Sequence, residues 1–388
     1  MFSIQDWFAT TDTQKDWLRR IGEVVDRHAA ETRRADETNG FNYSLVADLK
    51  RIGYPVLTVP RQFGGSEITL TDLLLYQERI AQGDASIALA IGWHMFTMHF
   101  TQTRVREPRV FAALCRDVLE RGALVNRIET EVATGSPSRG GIPQTRAERT
   151  DSGYRITGRK TFASLAPALD YFIISAFDTE AQHISEFLIP REAPGLSVEP
   201  TWDMVGMRGT GSHELVLEAV AVPDEAKLFE RSDVSALSEP IPYMLFIPAT
   251  YLGIALGARE EALRFAQKYQ PNSLDKPIAS LPHVRQLIGQ IELELSSARH
   301  SLYGLAGRWE QEHLQHHAQA APDLAAIKVV AIQTALSVVD KAMRIVGAHS
   351  LAASNPLQRM YRDVRFGLHN PPMEDAAIRQ LAQRALGE

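Results

Sequence analysis

The period of the hydrophobic pattern changes twice along this 388-residue chain, and few folds accommodate that order. Residues 1 to about 124 follow helical spacing, as in Phe41, Leu45, Leu49 and Ile52, with Gly53 closing the segment. From about 125 to 223 short alternating runs take over: Tyr171 to Phe177, Glu186 to Pro190, Gly195 to Val198, and Glu214 to Val222. Turn residues separate them, as in a small antiparallel barrel or sandwich. After a polar linker from Asp224 to Glu239, helical spacing returns over about 249–270, 281–318, 322–347 and 373–386. The third of these carries Leu324, Ile327, Val330, Ala331, Leu336, Val338 and Val339, enough apolar surface for a bundle that also packs against a second subunit. The expected units are a helical domain over 1–124, a β domain over 125–230 and a helical bundle over 231–388.

Within the first unit, Tyr54 to Pro60 reads as extended, and the helix from Thr69 to Ile80 has Thr71 as its expected cap. The segment GDASIALAIGWHMFTMHF is apolar nearly all round, so it is buried or lines a pocket. Trp93, His94, Met95 and His99 on it read as core. A net charge of −6 gives no basic footprint for nucleic acid. The N-terminus lacks the basic start, apolar run and small-residue site of a signal peptide. The apolar stretch from Tyr243 to Ala258 is short for a bilayer and reads as a buried helix rather than a membrane span. The single cysteine, Cys115, rules out an internal disulfide and fits a cytoplasmic protein with an inert structural thiol.

The chemistry concentrates between Asn126 and Ser164. Thr130, Thr134, Gly135, Ser136, Ser138, Gly140 and Gly141 make a small-residue loop, followed by Tyr154 and Ile156, a Gly158-Arg159 turn, and Lys160-Thr161-Phe162. Glycines let backbone N–H groups approach an anion, and successive N–H groups form a nest for phosphate oxygens. Such a loop on a β platform suits a large, flat, phosphorylated cofactor, or else is a solvated hairpin loop.

Taken together, these landmarks resemble the acyl-CoA dehydrogenase family of flavoproteins, and the resemblance spans essentially the whole chain. It is carried by Gly53 to Gly65, by Gln77 to Ser86, by Thr130-Glu-Val-Ala-Thr-Gly-Ser136, and by Gly158-Arg-Lys-Thr-Phe-Ala-Ser164. Met207-Arg-Gly-Thr-Gly-Ser212 and Tyr361-Arg-Asp-Val-Arg365 continue it. The resemblance implies an acyl-CoA dehydrogenase-like fold: helical N-domain, central antiparallel β-barrel or sandwich, and C-terminal four-helix bundle, assembled as a homotetramer. It implies FAD, with Ile128 and Thr130 at the flavin ring, Gly135 and Ser136 near the pyrophosphate, Phe162 against the ring and Ser164 facing flavin N5. It also implies oxidation of a CH–CH bond of an acyl-CoA, with electrons leaving to an electron-transfer flavoprotein.

The chain departs from that family where the chemistry should happen. The catalytic glutamate, eight residues after the Asp of the Arg-Asp pair, corresponds to Pro371. The alternative site used by a minority of members falls near Ile247. Neither is a carboxylate. Glu374 and Asp375 follow, as a displaced base or as residues favouring the start of the last helix. His369, followed by Asn-Pro, resembles the flavin-dependent monooxygenase branch of the same fold. There the flavin arrives reduced from a flavin reductase, which for this chain makes free reduced FMN the alternative to FAD, and a histidine with a flavin-facing serine assists the reaction with O2. His369 and Ser164 match those roles. The usual subunit-crossing arginine is absent, with Pro271 near its place. The adenine-contacting turn reads Arg344-Ile-Val-Gly347, where Arg344 is a candidate phosphate contact. A third possibility is a flavin- or acyl-binding protein that lacks a base. His313, His316 and His317 read as a solvated helix end rather than a metal site.

Overall fold

The computed structural model describes residues 7–102, 104–105, 108–135, 141–231, 241–311 and 317–387. Six helices come first: α1 (Asp12–Arg27), α2 (Ala29–Thr38), α3 (Tyr43–Arg51), α4 (Leu70–Gly83), α5 (Ala85–Gln102) and α6 (Pro108–Arg121). Eight strands follow: β1 (Val125–Ile128), β2 (Arg146–Thr150), β3 (Gly153–Ala163), β4 (Tyr171–Asp178), β5 (His183–Pro190), β6 (Leu196–Glu199), β7 (His213–Val222) and β8 (Lys227–Arg231). The C-terminal helices are α7 (Phe246–Lys268), α8 (Pro282–Gln311), α9 (His317–Val346), α10 (Pro356–Asp363) and α11 (Glu374–Leu386).

The sheet runs β6-β7-β3-β2-β4-β5-β8, with β1 joined to β4. Its pairings are antiparallel except that β1 and β2 each lie parallel to β4, which a purely antiparallel reading had not provided for. Gly158-Arg159 is not a turn, because β3 continues through it with a register shift beside Gly158. A Cβ on Gly158 would come within 2.5 Å of the Thr145 hydroxyl, so the glycine permits a close crossing rather than a reversal. The expected linker after Asp224 contains β8, where Leu228 is fully buried.

Local chemistry corrects two further expectations. Thr69, not Thr71, caps α4: its hydroxyl accepts from Asp72 N and the Asp72 carboxylate accepts from Thr69 N. Pro55–Thr58 forms a 3-10 turn instead of an extended run. Proline at its first position lacks an N–H and has φ preset for a helical turn. The Cys115 thiol is buried, and burial pushes it up to about 12, which keeps it protonated and unreactive. His313 and His316 lie outside the described residues, as does the side chain of His317.

α5 is buried on nearly all sides, and α7 packs against both α4 and α9. The stretch Ala320–Leu351, mostly α9, is long and apolar enough to cross a membrane by length and composition alone. In the fold it packs against α7, α8 and α11, while Val330 remains exposed.

Two buried charges have opposite standing in this helical core. Arg299 on α8 grips both carboxylate oxygens of Glu78 on α4 at 2.9–3.2 Å and lies over the Phe8 ring. Replacing Arg299 by Met leaves Glu78 buried and unpaired, and should cost roughly 3 kcal/mol of unfolding free energy in urea titrations. Lys328 on α9 is 3% exposed and makes no hydrogen bond or ion pair with a described residue. Burial lowers its pKa to about 8, against a smaller opposing pull from Glu374. Between that value and the 10.5 of an unperturbed lysine the unfolded chain binds more protons, so stability rises with pH across that window. Lys328→Met should therefore stabilise the protein by roughly 2 kcal/mol at pH 7. The advantage should fade between pH 8 and pH 10.5 in melts taken as a function of pH.

Candidate active site

Where β3 leaves the sheet, the register shifts between Lys160 and Ala163, and Phe162 takes a left-handed φ of +56°. That region is unfavourable for a bulky side chain. Flanking bonds hold it there: Thr161 N donates to Thr130 O at 2.9 Å, and Ser164 N donates to Phe162 O at 2.8 Å. The outcome is an aromatic ring 48% exposed in a polar loop region. It stands edge-on to Trp202 at 5.6 Å, and Trp202 stands edge-on to Phe366 at 6.0 Å. The row of three rings joins the end of β3 to the C-terminal turn.

The preceding loop is held by a carboxylate. Glu131 is buried and accepts from Gln144 N, from Thr145 N and Oγ1, and from Lys160 Nζ at 2.7 Å. Burial acts to raise its pKa, but the Lys160 charge and these hydrogen bonds outweigh it and the net shift is downward. Ile128 is buried at the end of β1, paired with Ile174, and the Thr130 carbonyl is the one taken by Thr161. Gly135, at φ +64°, bridges back to Glu131 with open space on its Cβ side. Ser136 lies outside the described residues.

Ser164 sits behind Phe162, nearly buried, with its hydroxyl 2.8 Å from that of Ser212. Ser212 donates to Thr210 Oγ1 at 2.8 Å, and Thr210 donates to the Met207 carbonyl at 3.0 Å. Asn126 donates from Nδ2 to Ser164 O at 2.9 Å, while its buried Oδ1 has no partner among the described residues. Trp202, Ser212, Thr210, Asn126 and Lys160 had been given no part in the site. In the sequence the Met207–Ser212 stretch marks the fold alone.

The turn after α10 meets this platform through Phe366 and Trp202. Val364–Leu368 forms a 3-10 turn, and His369 N donates to Phe366 O at 3.0 Å. The His369 ring is exposed and hydrogen-bonded to no described residue, Ser164 included. Tyr251 on α7, its phenol raised well above its usual value by burial, donates to Asn370 Oδ1 at 2.5 Å. Asp363 accepts from Met207 N at 2.6 Å, and burial pushes its carboxyl up to about 6. Ile247 is fully buried in the first turn of α7. Glu374 is exposed at the start of α11, accepts from Gln333 Nε2 at 3.2 Å, and stands with Asp375 where carboxylates favour a helix dipole.

Among the α5 residues, His94 is buried as a clamp: Nδ1 accepts from Val125 N and Nε2 donates to Pro55 O, both at 3.1 Å. Burial lowers its pKa to about 4, so the ring is neutral. His99 stacks on Tyr243 at 3.4 Å, and Trp93 and Phe96 pack on Phe246, so α5 and the start of α7 form an aromatic wall. Arg344 and Gly347 sit exposed at the far end of α9, with Arg344 bonded to Asp340. No hydrogen bond or ion pair links them to the 126–164 region among the described residues.

These groups fit a flavin. A half-exposed aromatic ring, a nearly buried hydroxyl two residues on, a buried amide oxygen on Asn126 with no partner among the described residues, and a glycine with room on its Cβ side suit a flat ring with a phosphorylated tail.

Comparison with known proteins agrees. Residues 11–103, 128–220 and 245–370 match the N-terminal, middle and C-terminal domains of acyl-CoA dehydrogenase. The acyl-CoA dehydrogenase-like protein YdbM of Bacillus subtilis is 45% identical, covering 97% of this chain and 98% of its own. L-evernosamine nitrososynthase of a Micromonospora species is 27% identical, covering 95% of this chain and 89% of its own. Two solved structures share the fold at a TM-score of 0.86. Butyryl-CoA dehydrogenase from Megasphaera elsdenii is 21% identical, with all of both chains covered. TdsC from a Paenibacillus species, solved with FMN and indole, is 22% identical, covering 96% of this chain and 97% of its own. With three matching domains and a 45% identical relative along nearly its whole length, this chain belongs to the acyl-CoA dehydrogenase family.

Proposed function

We propose that this protein is a flavin-dependent monooxygenase that takes up reduced flavin, supplied by a reductase, and oxygenates a small molecule. The carrying observation is the turn after α10. Pro371 and Ile247 occupy both positions where a proton-abstracting carboxylate would stand, while His369 presents an exposed, unengaged imidazole. Bound reduced flavin supplies two electrons to O2. Phe162 offers the ring its platform, backed by Trp202. Ser164 would stand at the polar edge of that ring and orient it. His369 gives or takes a proton at the substrate side, a task for which imidazole is suited at neutral pH. Tyr251 and Asp363 keep the turn that carries His369 in place. The aromatic wall of His99, Tyr243, Trp93 and Phe246 shields the substrate from water.

The 45% identity to an acyl-CoA dehydrogenase-like protein favours a second reading. In it, resident FAD accepts a hydride from an acyl-CoA thioester and passes electrons to an electron-transfer flavoprotein, with Glu374 as the displaced base. Under either reading the exposed apolar side of α9 is a subunit contact in a homotetramer, and the protein works in the cytoplasm.

Two titrations separate these readings. Protein mixed anaerobically with reduced FMN and then exposed to O2 should hold an absorbing oxygenated species longer than free flavin does. Anaerobic addition of saturated acyl-CoAs to oxidised flavoprotein should leave the flavin absorbance unchanged, and bleaching by any of them would establish the dehydrogenase instead. His369→Ala should lower oxygenation about 100-fold or more while binding reduced flavin as the parent does. Glu374→Gln should leave turnover unchanged. Full oxygenation by the His369 variant would remove the histidine from the reaction.

A further inference from the structure

Three hydroxyls behind the ring platform form a chain whose direction is favoured by its far end. Ser164, Ser212 and Thr210 are 8%, 4% and 1% exposed, so water does not complete their hydrogen bonding. Each hydroxyl carries one proton. Thr210 spends its own on the Met207 carbonyl, and Ser212 spends its own on Thr210. The contact between Ser164 and Ser212 therefore has Ser164 as donor. Ser164 is left with lone pairs only. In this arrangement it accepts a hydrogen bond toward the site and does not donate one.

The chain can also run the other way. If Thr210 turned to Ser212, Ser212 to Ser164, and Ser164 outward, no covalent bond would change and three O–H groups would rotate. The Met207 carbonyl would lose the Thr210 hydroxyl yet keep Trp202 Nε1–H at 3.0 Å and Thr210 N–H at 3.2 Å. The outward-donating arrangement is thus accessible at the cost of about one neutral hydrogen bond.

This asymmetry bears on the redox state of the ligand. A flavin ring nitrogen accepts a hydrogen bond when oxidised, and carries a proton to donate when reduced. We propose that Ser212 and Thr210 are positioning residues which, by holding the Ser164 proton inward, make the site select reduced over oxidised flavin. The inference rests on the reading of the site as a flavin site. It adds the residues that set which redox form is taken up.

The test is the ratio of dissociation constants for oxidised and dithionite-reduced FMN, measured anaerobically by absorbance and fluorescence titration. Thr210→Val keeps the shape but removes the acceptor of the Ser212 proton, which must then turn to Ser164 and force its proton outward. Ser212→Ala removes the inward acceptor of Ser164 directly. Each should shift the ratio about fivefold toward oxidised flavin, the worth of one neutral hydrogen bond. Thr210→Ser restores the hydroxyl and should restore the parent ratio. Thermal melts confirm that each variant is folded, and the two disabling substitutions serve as independent checks. Parent protein that binds neither FMN nor FAD in either state overturns the flavin reading and the selection with it. FMN bound by all variants with one common ratio overturns the selection alone.

Discussion

Arg362 and Asp363, adjacent at the end of α10, tie together the three parts of the chain. The Arg362 guanidinium reaches Asp36 on α2 with both terminal nitrogens, at 2.9 and 2.5 Å, and the Val205 carbonyl at 2.7 Å. Asp363, one residue on, accepts from Met207 N. Arg208 adds a bond to the Asp36 carbonyl at 2.7 Å. The crossing is close enough that a Cβ on Gly206 would come within 2.5 Å of the Arg362 carbonyl, which is why a glycine stands there. Bidentate arginine pairs carry direction as well as energy, so the contact fixes the angle of approach. The contact also fixes how the 202–210 segment, which carries Trp202, meets the end of α10 from which the His369 turn leaves.

The burial of Asp363 follows from that role. A carboxyl raised to about 6 by desolvation is costly to keep ionised at neutral pH, and Arg359 and Arg362 offset only part of the cost. In return the 202–210 segment is held against α10. That segment supplies Trp202 to the aromatic row and Thr210 to the hydroxyl chain. A single buried acceptor thereby positions both the face of the platform and the polarity of its edge.

Much of this was legible in the sequence, for identifiable reasons. The helix, strand, helix order is written in the hydrophobic period, and the small-residue loop before Phe162 could be found by composition. The errors lie where local pattern and tertiary contact disagree. Gly158 looked like a turn because a glycine followed by a charged residue often is one; the crossing by Thr145 that requires it lies outside any local window. Thr71 is as good a cap by residue type as Thr69, and only the reciprocal Asp72 bond picks out Thr69. Lys160 and Glu131 are 29 positions apart, and Lys328 is buried only because of what packs over α9. The direction of a hydroxyl chain cannot be read from residue types, since Ser and Thr donate or accept equally. It depends on which carbonyl closes the far end.

The same anchors bear on the vacant carboxylate. The turn after α10 is held at Asp363 by Met207, at Phe366 by Trp202 and at Asn370 by Tyr251, so little slack remains between 363 and 370. Pro371 and Pro372 follow, each with φ fixed and no N–H to rearrange. Glu374 lies beyond them in the first turn of α11, bonded to Gln333 and facing solvent. For it to reach the platform, the first turn of that helix would have to unwind and the proline pair would have to fold back. The latch and the ring platform stand while the two positions expected to carry a proton-abstracting carboxylate hold Pro371 and Ile247. That combination is what the proposed oxygen chemistry rests on: an exposed aromatic support at Phe162 and an exposed imidazole at His369.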